Sequence, residues 1–294
     1  SASLHAARPD IVIHMAAQAL VRYSYKNPVE TYGTNVMGLV NLFEAVRGCP
    51  SVRAVVNVTS DKCYENQERE AGYKENEPMG GHDPYSSSKG CAELVIASYR
   101  KSFFESKRIG LASARAGNVI GGGDWAKDRI VVDCMKNWAD GKIVELRSPE
   151  ATRPWQHVLE PLSGYLTLGS QLNSDNRLLG ESFNFGPRSE QNRTVLELLT
   201  DLSQQWNFNK AEDAYSVTDN IPFHEAGLLK LNCDKALFNL RWEANLSYKE
   251  CVKMVGEWYY SFYKMEKDMY KLTLDQITQY EDLAMKRDLI WNQI

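Results

Sequence analysis

Ala54-Val55-Val56-Asn57-Val58-Thr59-Ser60-Asp61-Lys62-Cys63-Tyr64 is the stretch whose reading decides the fold of this 294-residue chain. Its first five residues form a short valine-rich run flanked by turn and helix signals, which predicts a strand buried on both faces, as in a parallel sheet. Ile11-Val12-Ile13-His14-Met15 upstream reads the same way. Between the two, Val29, Tyr32, Val36, Leu39, Val40, Phe43 and Val46 make an apolar stripe that predicts a helix from Pro28 to Arg47. A second helix is expected from Pro84 to about Phe104 and a strand from Leu111 to Arg115. Strand, helix, strand, helix, strand at these lengths gives an α/β class with a doubly wound parallel sheet.

Beyond Gly121 the rhythm changes. Helices are expected at about 128–139, 158–172, 194–206, 235–240 and 248–263, and strands near 143–146 and 182–185. This half is more irregular and aromatic, as suits a lobe covering a substrate. The charged tail after Lys264 is expected to form a peripheral helix or an ordered arm. The glycine fingerprint of a dinucleotide site is absent and there is no initiating methionine, so the sequence is expected to start inside the fold, after the first strands.

Bulk properties narrow the function classes. A formal charge of -4 with no block of like charge argues against a nucleic-acid or membrane surface. No apolar run approaches the roughly 18 residues of a membrane span and no signal peptide opens the chain, so a cytoplasmic protein is expected. The six cysteines show no CxxC pair and no zinc-like spacing with the five histidines; free thiols are expected, and no metal site.

Tyr85 and Lys89 carry the chemistry. Asp83 suits a helix N-cap and Pro84 a first-turn proline, so the two become i, i+4 neighbours on one face. A cation beside a phenol favours tyrosinate, a base for an alcohol proton, and Lys89 is therefore expected to lower the pKa of Tyr85.

Tyr-x-x-x-Lys, the His14-Met15-Ala16-Ala17-Gln18 strand end, Thr34-Asn35-Val36-Met37-Gly38 and Thr59-Ser60-Asp61-Lys62-Cys63-Tyr64 occur together and in order. With these motifs the chain resembles the extended short-chain dehydrogenase/reductases that act on nucleotide sugars. Asp61 after Ser60 looks like the 4,6-dehydratases of that group; 4-epimerases usually carry a serine-serine-alanine type sequence there. Ala16 to Arg22, Arg115 to Trp125 and Arg153 to Pro161 look like the branch acting on CDP-glucose, and Lys62 agrees with that branch where the dTDP-glucose enzymes carry glutamate.

The resemblance implies an NAD-dependent reaction in three steps: oxidation at sugar C4, loss of water across C5 and C6, and hydride return to C6, feeding deoxysugar synthesis. Tyr85 would take the C4 hydroxyl proton, Ser60 would bond the same oxygen, and Lys89 would also hold the nicotinamide ribose. Asp61 is the expected acid for the departing C6 hydroxyl, which needs a carboxyl kept protonated by burial or negative charge. Lys62 is either the C5 base or an electrostatic partner of the enolate. Ala16, Ala17, Gln18 and Asn35 fall on the cofactor side, Asn35 as a bracket between helix and loop. Asn118, Arg153, Arg129 and His224 with Glu225 fall on the nucleotide-sugar side, and the Gly121-Gly122-Gly123 turn after Asn118 is expected to let the backbone come close to a ligand. His14 is read as a packed histidine. Residues 1–125, with 153–187 returning to them, would form what remains of the Rossmann-like NAD-binding domain, and 126–294 mainly the nucleotide-sugar lobe and tail. The family's dimer face, the helices from Pro28 and Pro84, implies a homodimer or tetramer. A nucleotide-sugar 4-epimerase and a catalytically dead sugar-nucleotide-binding scaffold are the competing readings.

Overall fold

Four parallel strands, Ile11–His14, Ala54–Val58, Gly110–Ala116 and Ser182–Phe185, lie side by side in that order in the computed structural model. The structure describes residues 2–188, 191–206, 208, 210–218 and 228–293. Ile11 faces Ala54, Ala54 faces Gly110, and Ser113 faces Ser182.

Side-chain alternation along each strand sends neighbours to opposite faces, and both faces are covered. Val55 and Leu111 meet Leu39, Phe43, Val46, Ile96 and Phe104 from the helical segments 28–47 and 84–104. Val56, Ala112 and Ala114 meet Tyr165 and Leu168 from helix Leu159–Gln171, with Phe183 and Phe185 of the last strand. Burial on both sides is why these strands read as unbroken apolar runs, and it confirms the doubly wound α/β class. Both long helices carry a π turn, Gly33–Met37 and Arg100–Phe104.

A third cluster fills the other half: Val131, Met135 and Trp138 of helix Ile130–Ala139, Leu198 and Leu202 of helix Val195–Ser203, and Val252 and Tyr259 of helix Tyr248–Lys264. Thr194 starts the middle helix with a reciprocal capping box to Glu197. The tail forms helix Met269–Lys286 and docks back: Gln276 donates to the Met254 carbonyl at 2.8 Å, and the Tyr280 hydroxyl donates to buried Glu160 at 2.9 Å. No helix among the described residues is long and apolar enough to cross a membrane.

Two expectations change. Helix Val21–Lys26 was not foreseen, yet its buried Ser24 accepts a hydrogen bond from the Tyr85 backbone at 3.1 Å. The Gly121-Gly122-Gly123 turn does not offer bare backbone at its first two glycines. A Cβ on Gly121 would lie 2.7 Å from the Val158 side chain, and one on Gly122 would lie 2.1 Å from the Trp258 ring. The chain's own side chains fill that space.

Candidate active site

The strand Ala54–Val58 delivers the first candidate groups. Thr59 extends its pairing with a bond to the Ala114 carbonyl at 2.9 Å, and the chain then turns through a 3-10 turn at Asp61–Cys63. Ser60 caps that turn: its Oγ accepts from the Lys62 amide at 3.2 Å and donates to Asp61 Oδ1 at 2.9 Å. Asp61 is 4 % exposed. Burial pushes its carboxyl above the usual range against the opposing pull of Lys62, Ser60 and Arg153, so the acid form gains ground as the expected role requires. A Cβ on Gly117 would lie 1.9 Å from Asp61 Oδ2, so only glycine leaves the carboxyl its place.

Helix Pro84–Tyr99 delivers the second set. Asp83 caps it, accepting from the Ser86 amide at 3.0 Å, and Pro84 takes the first turn. Tyr85 and Lys89 are both buried. Here the expected electrostatics are corrected. Burial pushes the Tyr85 phenol up to about 12, against the pull of Ser60 and Arg129. The Lys89 ammonium lies 5.9 Å from the Tyr85 ring centre and donates to the Val58 carbonyl at 3.3 Å. Burial lowers Lys89 itself to about 8. Burial disfavours the charged form of each. His14, partly exposed at the end of its strand, is lowered by burial and then by Lys89.

Asn35 forms the bracket expected of it. Its Oδ1 accepts from the Gln18 amide at 2.8 Å, and its Nδ2 donates to the Gln18 carbonyl at 3.0 Å and to Ser88 Oγ at 2.8 Å. The loop holding Ala16, Ala17 and Gln18 is thereby fixed to the Tyr85 helix. Gln18 is tied further, donating to Thr31 Oγ1 at 2.9 Å, while Ala16 stays exposed.

A cleft of about 1070 Å³ is lined by Lys62 and Ser86, the sequence neighbours of Asp61 and Tyr85. Four arginines line it: Arg22, Arg129, Arg147 and Arg153. Arg22 pairs with Asp128 at 2.8 Å and Arg129 with Asp124 at 2.9 Å. Arg153 sits on the Thr152–Pro154 strand, paired antiparallel with Asn192–Thr194. Asn118 adopts a left-handed backbone, φ 54°, and its amide stands 3.4 Å from Asp61 Oδ2, so it faces that carboxyl. His224 and Glu225 lie outside the described residues.

Sequence reasoning missed Gly117, Arg22 and Arg147, and it passed over Glu93, whose signal was a charge one turn beyond Lys89 on the same helix. Cys63 is fully buried with its thiol pushed far up by burial, which makes it a packing residue. All six cysteines are free, and no cluster of potential metal ligands occurs among the described residues.

The model of the GDP-mannose 4,6 dehydratase family matches residues 1–255. The chain is 48% identical over 280 residues to the CDP-glucose 4,6-dehydratase of Salmonella typhimurium, covering 93% of this chain and 76% of that protein. Among solved structures, the dTDP-glucose 4,6-dehydratase DesIV of Streptomyces venezuelae, with NAD and TYD bound, superposes with TM-score 0.75 at 20% identity, over 90% of this chain and 78% of that one. An epimerase of Methanothermobacter thermautotrophicus reaches TM-score 0.77 at 18% identity, over 92% and 76%.

Proposed function

Because the chain belongs to the GDP-mannose 4,6-dehydratase family, we propose that it converts CDP-glucose to CDP-4-keto-6-deoxyglucose with NAD as cofactor. The observation that carries the reading is buried Asp61 beside Ser60 and within the electrostatic reach of Tyr85. An epimerase has no use for a buried carboxyl, its pKa raised, next to its alcohol-oxidising tyrosine.

NAD, when bound, supplies the hydride acceptor. The residues fit it: the Lys89 ammonium has three donors and, among the described residues, makes one hydrogen bond, to Val58, which leaves donors for ribose hydroxyls. Exposed Ala16 lets a flat group lie against the backbone of the loop that Asn35 holds.

Tyr85 accepts the proton of the C4 hydroxyl while Ser60 bonds the same oxygen, with Arg129 favouring the phenolate. The C4 ketone acidifies the C5 hydrogen. Asp61, its carboxyl pushed up by burial, donates a proton to the departing C6 oxygen, and Asn118 orients its carboxyl. Lys62, on the cleft wall, serves either as the C5 base or as the cation facing the enolate. Arg153 and Arg129 hold the diphosphate, a guanidinium being suited to two phosphate oxygens at once.

Residues 1–125 with 153–187 hold the cofactor, and most of 126–294 covers the nucleotide sugar. The helical segments 28–47 and 84–99 form a homodimer face; Val29, Met37 and Leu94 are 85, 53 and 65 % exposed there. A monomer by sedimentation would reject that face. Incubation with NAD and each of the CDP-, UDP-, GDP- and dTDP-glucoses tests the activity. Loss of water from CDP-glucose is the expected result; a C4-inverted sugar of unchanged mass would establish an epimerase instead.

A further inference from the structure

Glu93 is 7 % exposed and Arg115 is 2 % exposed, and they form a bidentate pair: Arg115 Nε to Glu93 Oε1 and Nη2 to Oε2, both 2.9 Å. The pair is surrounded by further bonds. Thr59 Oγ1 donates to Glu93 Oε1 at 2.6 Å and Ser113 Oγ to Oε2 at 2.8 Å, while Arg115 Nη1 donates to the Tyr64 hydroxyl at 2.7 Å and the Glu75 carbonyl at 3.0 Å. Burial alone would push the Glu93 carboxyl up; Arg115, Thr59 and Ser113 more than offset it and hold it below the usual range.

The elements joined here are the ones that carry the reacting groups. Thr59 and Tyr64 bracket the turn bearing Ser60, Asp61 and Lys62. Glu93 lies on the helix of Tyr85 and Lys89, one turn further on. Arg115 is on the strand that runs into Gly117, the glycine against which the Asp61 carboxyl rests.

Stability alone does not explain such a pair. Its desolvation cost is large, and well-packed apolar residues often replace a buried ion pair without loss of stability. Apolar packing would not supply directional bonds to both ends of the catalytic turn. We propose that Glu93 is a positioning residue that, through Thr59 and Arg115, fixes the Ser60–Lys62 turn against the helix of Tyr85 and Lys89. The proposal rests on reading those five side chains as the reacting groups.

The test compares Thr59→Val, Thr59→Ser and Glu93→Gln in the whole chain with NAD and CDP-glucose. Thr59→Val has nearly the same shape but cannot donate to Glu93. The expected result is kcat lower by about tenfold with KM within about twofold, because small displacements at reacting centres cost rate and not ground-state binding. Thr59→Ser keeps the hydroxyl and should restore kcat. Glu93→Gln, if folded by its melting curve, should lose at least as much. If it does not fold, the valine and serine variants decide alone. Wild-type kcat in folded Thr59→Val, or equal losses in the valine and serine variants, overturns the proposal. Tyr85→Phe, run alongside, separates the two readings: if it keeps C4 oxidation, the site assignment itself has failed.

Discussion

Gly117→Ala is the sharpest perturbation of Asp61, the proposed acid. The added Cβ would lie 1.9, 2.1 and 2.6 Å from Oδ2, Cγ and Oδ1 of Asp61. Ordinary contact begins near 3.4 Å, so carboxyl or strand end must give by about 1.5 Å. Asp61 is a short side chain, 4 % exposed and held by Ser60, so it has no open solvent into which to swing. A displacement of ~1 Å at a reacting group costs on the order of 10²-fold in rate, and that loss is expected in water elimination. Oxidation at C4 uses Tyr85 and Ser60 and should suffer less. The assay follows reduced nicotinamide in a single turnover alongside formation of the 4-keto-6-deoxy product. Reduced cofactor should accumulate in the variant, since oxidation outruns elimination. Gly33→Ala is the control: nothing lies within 4 Å of its Cβ position, and wild-type rates are expected. Wild-type elimination by folded Gly117→Ala would refute the placement of Asp61 as the acid.

Three further outcomes follow from the same geometry. Asp61→Asn, which cannot donate an acidic proton, should keep C4 oxidation while dehydration falls by ~10²-fold or more, measured by the same two signals. NAD affinity should weaken above pH about 8, where buried Lys89 loses the proton that makes it a cation, by up to about tenfold per pH unit; Lys89→Met should bind weakly with no such dependence, and a wild-type dissociation constant flat from pH 7 to pH 10 would remove Lys89 from the cofactor's contacts. Tyr280→Phe removes the hydroxyl that donates to buried Glu160 at 2.9 Å, so the docked tail should lose about 1.5–3 kcal/mol, seen as a lower melting temperature with kcat unchanged.

What the sequence made legible follows from where each residue's partners lie. Val55 and Val56 point to opposite faces, both covered, so the apolar run alone announced the strand. Asp83 and Pro84 start a helix by local bonds, and Tyr85 and Lys89 followed from that start. The Gly121–Gly123 turn misled because the groups it accommodates, Val158 and Trp258, are far along the chain. The Tyr85 phenol misled because burial, which no spacing reveals, is the largest influence on it and raises its pKa. Glu93 was a charge on a helix until the fold placed Arg115, Thr59 and Ser113 around it.

The central claim, internal oxidation followed by dehydration, is tested most directly with CDP-glucose carrying deuterium at C4. The account predicts a 4-keto-6-deoxy product, lighter by one water, with the deuterium moved to C6. Deuterium retained at C4 of a sugar of unchanged mass, or a dehydrated product without deuterium at C6, would contradict it.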